Sequence, residues 1–271
     1  MNSAATPMRD RAAGENVIEN LLEAQSEVPA RGVVAKLFGR TPLGEDSHSW
    51  YEDALGEIAV GRALEQLPSE WTAFHALPVG TKGSAIDHLV VGPGGIFTIK
   101  TRRHRGDSVL VSDRSVMVSG QHRPYLRDAE HDADSVARIL KERTTLLTPI
   151  QPIVALVGPK QITIRQAPDR VKVLDSRQLQ WWLAKRPVIL PPADVLDVAA
   201  IVDDPATWRE GTVSLPGLVP RFEQLDREVR SAQRRRQAWA IGLLAAFLAA
   251  FAALLLALPG LVGDLGLALL F

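Results

Sequence analysis

The stretch that decides the fold runs from Ile86 to Gly106 and reads IDHLVVGPGGIFTIKTRRHRG. Two apolar runs flank the tetrapeptide Gly92-Pro93-Gly94-Gly95, whose composition is typical of a turn. If the turn is a four-residue loop, Val91 faces Ile96, and the pairing continues residue by residue along both strands. The sequence therefore predicts an antiparallel hairpin whose register is set by its turn.

In this register a carboxylate meets basic side chains, because Asp87 lies opposite Lys100. Side chains alternate along a strand, so Lys100 and Arg102 share the face of Asp87. His88 points to the opposite face, where we expect a hydrogen-bonded structural role. A carboxylate opposite charged residues at i and i+2 has the outline of a nuclease site, in which carboxylates hold Mg²⁺ and a cation steadies the phosphate.

Apolar periodicity on both sides of the hairpin predicts an α/β fold. The order is a helix, four or five strands in hairpins, a helix, two strands and a helix, which favours a mixed β-sheet flanked by helices. The predicted helices cover residues 50–67, 129–143 and 194–202, with another that begins at Asp175 or Ser176. The predicted strands cover residues 71–77, 85–91, 96–101, 109–111, 116–118, 153–157 and 171–174.

At these residues the chain resembles the nuclease-related domain (NERD) family of the PD-(D/E)xK superfamily. The resemblance extends from about Ser49 to Leu183. It rests on Gly56-Glu57 in the first long helix, the strand residues Ile86-Asp87-His88, the glycine-rich turn and Gly106. It implies a restriction-endonuclease-like fold, a mixed sheet between helices, and a Mg²⁺-dependent nuclease activity on DNA or RNA.

The resemblance also assigns the site. Glu57 would be the helix carboxylate and Asp87 the first strand carboxylate, both as metal ligands, while the Glu-x-Lys positions of the family are Lys100 and Arg102 here. Lys100 puts an ammonium where a carboxylate belongs, so it competes for Asp87. Arg102 stays protonated and can bind phosphate but cannot act as a general base. Two carboxylates with several waters can still hold Mg²⁺, yet the reversed charge favours a degenerate site.

Other chemistry finds little support in the sequence. Arg102, Arg103 and Arg105 form a basic run that suits a phosphate backbone as well as it suits a solvated loop. The chain has no cysteine, which excludes thiolate nucleophiles and Cys-based zinc sites. It contains no GxxxxGK[ST] loop and no GxSxG elbow, so NTPase and serine-hydrolase functions are disfavoured. With 31 basic and 31 acidic residues, net charge indicates no partner.

The C-terminal part predicts a membrane anchor. Residues 238–258 carry no charge and consist mainly of Leu and Ala; at about 1.5 Å per residue, a helix of this length spans the roughly 30 Å hydrocarbon core. Arg234, Arg235 and Arg236 precede it and no basic residue follows. The positive-inside rule therefore predicts a single pass through the cell membrane with the N-terminal domain in the cytoplasm. Pro259-Gly260 is expected to end the helix.

The predicted organisation comprises five segments. They are a partly helical N-terminal arm (1–47), the nuclease-like domain (48–205), a charged linker (206–237), the transmembrane helix (238–258) and a short apolar tail (259–271). In the arm, an apolar stripe is flanked by basic residues: Val33, Val34, Leu37 and Phe38, with Arg31, Lys36 and Arg40. Such a stretch can lie on anionic lipid, although we expect the ordinary use, packing against the domain.

Two classes of function stay open. Lys100 favours a non-catalytic module that binds nucleic acid or a protein partner at the cytoplasmic face of the membrane. Glu57 and Asp87 keep open a membrane-tethered, Mg²⁺-dependent nuclease. The lipid bilayer is a partner in both. The arginine-rich set of basic residues indicates a GC-rich genome, and we take the chain to be bacterial.

Overall fold

The computed structural model describes residues 6–79, 85–146, 149–208 and 217–268, with side chains to residue 254. The chain divides into two compact units, one formed by residues 1–26 and 45–219 and the other by residues 27–44 and 220–271. The helices of the first unit are α1 (Glu15–Ser26), α3 (Ser47–Leu64), α4 (Tyr125–Lys141), α5 (Ser176–Ala184) and α6 (Pro192–Asp203). Those of the second are α2 (Val33–Leu37) and α7 (Leu218–Ala268), which begins at the boundary between the units.

The larger sheet of the first unit is mixed. Its strands are β1 (Thr72–Pro78), β2 (Ala85–Gly92), β3 (Gly95–Arg103), β7 (Ile150–Val157) and β9 (Lys172–Asp175), in the spatial order β1-β2-β3-β7-β9. The first three strands pair antiparallel, and β7 and β9 add to β3 in parallel. Residues 152–156 of β7 are all buried, which agrees with the wholly apolar run in the sequence.

Helices cover both faces of this sheet. On one face, Val60 of α3 and Leu179 of α5 pack with Phe97 and Ile99. On the other, α4 and α6 pack against the remaining β2 and β3 side chains; the buried contacts there include Leu89, Val91, Ile96, Val136 and Val198. The predicted fold class, a mixed sheet flanked by helices, is confirmed.

A second, four-stranded sheet was not predicted. It contains β4 (Ser108–Val111), β5 (Val116–Val118), β6 (Gln121–Arg123) and β8 (Gln161–Ile164), in the order β6-β5-β4-β8. The sequence predicted β4 and β5 but missed their outer partners. Every residue of β6 is exposed and most of β8 is too, so neither strand carries the apolar alternation by which a strand is recognised.

The hairpin of β2 and β3 has the predicted register. Val91 pairs with Ile96, and Gly92 pairs with Gly95, so the loop contains only Pro93 and Gly94. The turn is thus two residues shorter than predicted, although the register is the same. Gly95 has φ +124°, which favours glycine, and a Cβ at Gly92 would come within 2.3 Å of the Trp71 ring.

The second unit contains α7, the one helix among the described residues that is long and apolar enough to cross a membrane. Up to Leu254, the last residue whose side chain is described, the most apolar stretch of this helix is not buried by protein. The helix continues past Pro259 and Gly260, where the sequence predicted its end. In the predicted linker, Val229 and Ala232 are buried, so this segment also packs.

The short helix α2 and the residue after it, Phe38, carry the apolar stripe of the N-terminal arm. None of the α2 residues is buried. Val33, Val34, Leu37 and Phe38 are all more than half exposed.

Candidate functional site

The candidate site forms where β2 and β3 separate. Their pairing starts at His88 and Ile99, so Asp87 and Lys100 lie at its open end. The Lys100 ammonium donates to Asp87 Oδ1 over 2.9 Å, and the backbone N–H of Thr101 donates to Asp87 Oδ2 over 2.8 Å. Both carboxylate oxygens of the buried Asp87 are therefore engaged, and the contact predicted from the hairpin register is present.

Lys100 has a second acidic partner. Asp132, from α4, places its Oδ2 3.1 Å from the Lys100 nitrogen. Burial alone would lower the pKa of Lys100, but Asp87 and Asp132 outweigh that effect and raise it. Burial also raises the pKa of Asp132, and Lys100 opposes this shift. The ammonium is thus charged and held between two buried carboxyl groups.

Arg102 lies on the same face, as strand alternation predicted. Its NH1 donates to the carbonyl of Thr101 over 2.7 Å and lies 3.7 Å from Asp87 Oδ2. Its guanidinium carbon stands 5.3 Å from the centre of the Tyr125 ring, a cation–π arrangement, and its NH2 lies 4.0 Å from Asp128. Burial would raise the pKa of Asp87, but Lys100 and Arg102 together hold it below its usual value.

Helix α3 brings two further carboxyl groups to the same place. Glu57 is buried, and burial together with the charge of Asp87 raises its pKa well above the usual range. Asp53, one turn earlier, also has a raised pKa, again mainly through burial. Both line a pocket of about 180 Å³ that Asp87, Lys100 and Arg102 also line, together with Trp50, Asn16 and Asn20.

These residues do not fit Mg²⁺ in this arrangement. A divalent ion needs ionised, free carboxylate oxygens, but both oxygens of Asp87 accept from protein donors. The ammonium of Lys100 takes the position between Asp87 and Asp132, and the raised pKa of Glu57 favours its neutral form. Within the described part of the chain, no group of three or more His, Asp or Glu residues is placed to hold a metal.

His88 points away from this pocket and is hydrogen-bonded, as predicted. Its Nδ1 lies 2.8 Å from Nδ1 of His75, and its Nε2 lies 3.2 Å from the Thr101 hydroxyl. Burial lowers the pKa of His88 to about 3 and that of His75 to about 4. Both rings are therefore neutral near neutral pH and act in packing.

The basic run after the motif does not form one cluster. Only Arg102 lines the pocket. Arg103 points to the α3 side, where it pairs with Glu52, because neighbouring strand residues face opposite sides. Arg105 lies beyond the end of β3 and is exposed. The three arginines predicted to bind phosphate therefore face three different surroundings.

Asp53 and Asp132 were missed by the sequence reasoning. A signal existed for Asp53, because it precedes Glu57 by four residues and so lies on the same helix face. Asp132 lies on α4, 32 residues after Lys100 in the chain. Its contact with Lys100 depends on how α4 packs on β3. No local pattern predicts that contact.

Comparison with family models confirms the resemblance to the nuclease-related domain family. The family model described as "Nuclease-related domain" (NERD) matches residues 52–157, a segment that contains Glu57, Asp87, Lys100, Arg102 and Asp132. No curated protein matches the chain, and no solved structure matches it.

Proposed function

We propose that this protein is a membrane-anchored, nuclease-related protein whose nuclease-like site is degenerate, and that it binds rather than cleaves. The partner class that the family resemblance favours is nucleic acid, held at the cytoplasmic face of the cell membrane. A protein partner is the alternative occupant. Membrane attachment is supported by α7 and by Arg234, Arg235 and Arg236 directly before its uncharged segment.

The contact of Lys100 with Asp87 and Asp132 carries this proposal. In a metal-dependent nuclease, carboxylates at this point hold the ion that polarises the phosphate. Here a charged ammonium is hydrogen-bonded to the strand carboxylate, and its removal would leave two buried acidic groups without their cation. Breaking a buried ion pair costs about 3–5 kcal/mol, so the metal would have to offset that cost.

The alternative function, a Mg²⁺-dependent nuclease acting on DNA or RNA, has one observation in its favour. Asp53, Glu57 and Asp87 line the same pocket, so departure of the Lys100 side chain, together with a closer approach of these three carboxyl groups, would supply oxygen ligands for a metal ion. A substrate phosphate could cause this movement by attracting the Lys100 ammonium away from Asp87.

A metal titration separates the two functions. Lys100→Glu replaces the ammonium by a carboxylate opposite Asp87, so we expect its affinity for Mn²⁺ to exceed that of the wild type by about tenfold or more, because such affinities follow the number of charged oxygen ligands. Isothermal calorimetry on the detergent-solubilised chain measures both constants. Lys160→Glu, at an exposed position, makes the same charge change away from the pocket and is the control.

Equal Mn²⁺ affinity in the wild type and in Lys100→Glu would contradict the proposal, because it would mean that Lys100 does not compete with the metal. If Lys100→Glu binds Mn²⁺ but does not cleave, Arg102→Lys in the same background is the next variant, since the family has a lysine at that position.

A further inference from the structure

The short helix α2 is fastened to α7 at one level of the long helix. Gly39, just after α2, has φ +71°, and a Cβ there would lie 2.4 Å from the carbonyl oxygen of Ala232 and 2.6 Å from the amide nitrogen of Arg236. Only glycine allows so close an approach of the two backbones. The position of α2 along α7 is therefore fixed by backbone contact.

Side chains of α7 reinforce this attachment. Arg235 NH1 donates to the carbonyl of Lys36 over 3.0 Å, and the Trp239 indole N–H donates to the carbonyl of Leu37, also over 3.0 Å. The Arg235 donor is a second one for the Lys36 carbonyl, which also accepts from the Gly39 N–H over 3.3 Å. The Trp239 donor serves the Leu37 carbonyl, one of the last carbonyls of α2. The Phe38 and Trp239 rings lie with their centres 5.0 Å apart.

The level of attachment is the point at which α7 changes from charged to apolar. Trp239 is the second residue of the uncharged segment, and the three consecutive arginines end at Arg236. Tryptophan favours the boundary between lipid headgroups and acyl chains. If α7 spans a membrane, α2 therefore lies at that boundary.

What α2 presents outward has the composition of a membrane-surface helix. Val33 is 84% exposed, Val34 68%, Leu37 54% and Phe38 53%. Exposed cations lie within or just after this stretch, Lys36 and Arg40, and on the part of α7 that contacts it, Arg234, Arg235 and Arg236. Apolar side chains directed outward among basic ones fit an anionic lipid surface.

We propose that α2, Phe38 and Trp239 form an interfacial anchor that inserts the α2 apolar side chains into the headgroup region of an anionic membrane. The inference rests on the proposed membrane span of α7, with which the exposed apolar surface of α2 is continuous. The basic residues lie at the level of the lipid phosphates, and the anchor sets the depth at which the span begins.

Single cysteine variants test this directly, because the natural chain has no cysteine. Spin labels are placed at Val34→Cys, at Leu244→Cys inside the uncharged segment and at Gln224→Cys, which lies 15 residues before Trp239 on α7 and so about 22 Å away. Each full-length variant is reconstituted at one copy per nanodisc. Collision rates of the label with oxygen, which concentrates in lipid, and with a water-soluble nickel complex are then measured.

If α2 is an interfacial anchor, the ratio of oxygen to nickel collision rates at position 34 is high. It is closer to the ratio at position 244 than to the ratio at position 224. In nanodiscs that contain phosphatidylglycerol, the ratio at position 34 is expected to exceed the ratio in phosphatidylcholine alone. Lys36→Glu with Arg40→Glu should remove that difference.

Three results would overturn the inference in distinguishable ways. Nickel access at both positions 34 and 244 would refute the membrane span itself. Lipid access at 244 with nickel access at 34 would refute only the interfacial anchor. Protection of position 34 from both reagents would mean that another part of the same chain covers α2.

Discussion

At the residue scale, the decisive feature is Lys100, which stands at the motif position where a second carboxylate is expected. The register of a short hairpin can be derived from its turn and from strand alternation, so the contact of Asp87 with Lys100 followed from the sequence. The second partner, Asp132, could not be derived, because it depends on helix packing across the sheet. The hairpin therefore predicted the contact of Lys100 with Asp87 but not its contact with Asp132.

The buried histidine pair makes a prediction about pH. In the folded chain the pKa is about 4 for His75 and about 3 for His88, against about 6.5 for an unfolded histidine. The unfolded chain therefore binds more protons in this range, so the pair stabilises the fold above pH 6.5 and loses that contribution as pH falls toward 4. The loss is up to about 1.4 kcal/mol per pH unit for each histidine.

Urea unfolding followed by tryptophan fluorescence, at pH 7.5 and pH 5, measures this effect in detergent-solubilised protein. His88→Gln removes one titrating ring, so its free energy of unfolding should fall less between the two pH values than that of the wild type. His122→Gln, at an exposed position, should keep the wild-type dependence. An unchanged pH dependence in His88→Gln would contradict the assignment of the pair as buried and neutral.

At the element scale, the reliable predictions came from strong local patterns. The turn at Gly92–Gly95, the all-apolar run of β7 and the periodic helices α3 and α4 were found close to their observed bounds. The outer strands β6 and β8 were missed, because exposed strands need only backbone pairing and place no demand on their side chains. Buried strands are therefore easier to predict from the sequence than exposed outer strands.

The uncharged segment of α7 is expected to be dispensable for the folding of the first unit. The three clusters of buried apolar side chains described in the first unit consist of residues between Met8 and Trp208. None of the uncharged-segment side chains that the structure describes, residues 238–254, belongs to them. We expect a chain that ends after Gln237 to be soluble and to unfold cooperatively in urea. The detergent-solubilised full chain provides the reference near-ultraviolet circular dichroism spectrum.

Aggregation of the shortened chain, with loss of the cooperative transition, would show that residues 238–271 belong to the core. Val229 and Ala232 are retained in the shortened chain, whereas the contacts of Trp239 with Leu37 and Phe38 are lost.

At the scale of the whole molecule, a segment that matches the nuclease-related domain model, residues 52–157, precedes one described helix of membrane-spanning length. The three arginines before that helix, with no basic residue after it, predict a cytoplasmic N-terminal domain and a C-terminus across the membrane. A reporter enzyme that folds only outside the cytoplasm, fused after Phe271, should therefore be active. The same reporter fused before Met1 should be inactive.

Replacing Arg234, Arg235 and Arg236 by glutamate removes the charge bias, so the outside activity of the C-terminal reporter should fall. A second reporter, active only in the cytoplasm, is fused after Phe271 in a separate chain. If only this second reporter is active, the helix does not cross the membrane in the predicted direction.

A cleavage assay of the full-length wild type tests most directly whether the nuclease-like site is degenerate. Labelled single-stranded DNA, double-stranded DNA and RNA are incubated with the detergent-solubilised protein in Mg²⁺ and in Mn²⁺, beside Asp87→Ala prepared in the same way. With the ammonium of Lys100 held between Asp87 and Asp132, the wild type is predicted to cleave no faster than Asp87→Ala on any substrate. Mg²⁺-dependent cleavage by the wild type that disappears in Asp87→Ala would contradict the degenerate site and establish a nuclease.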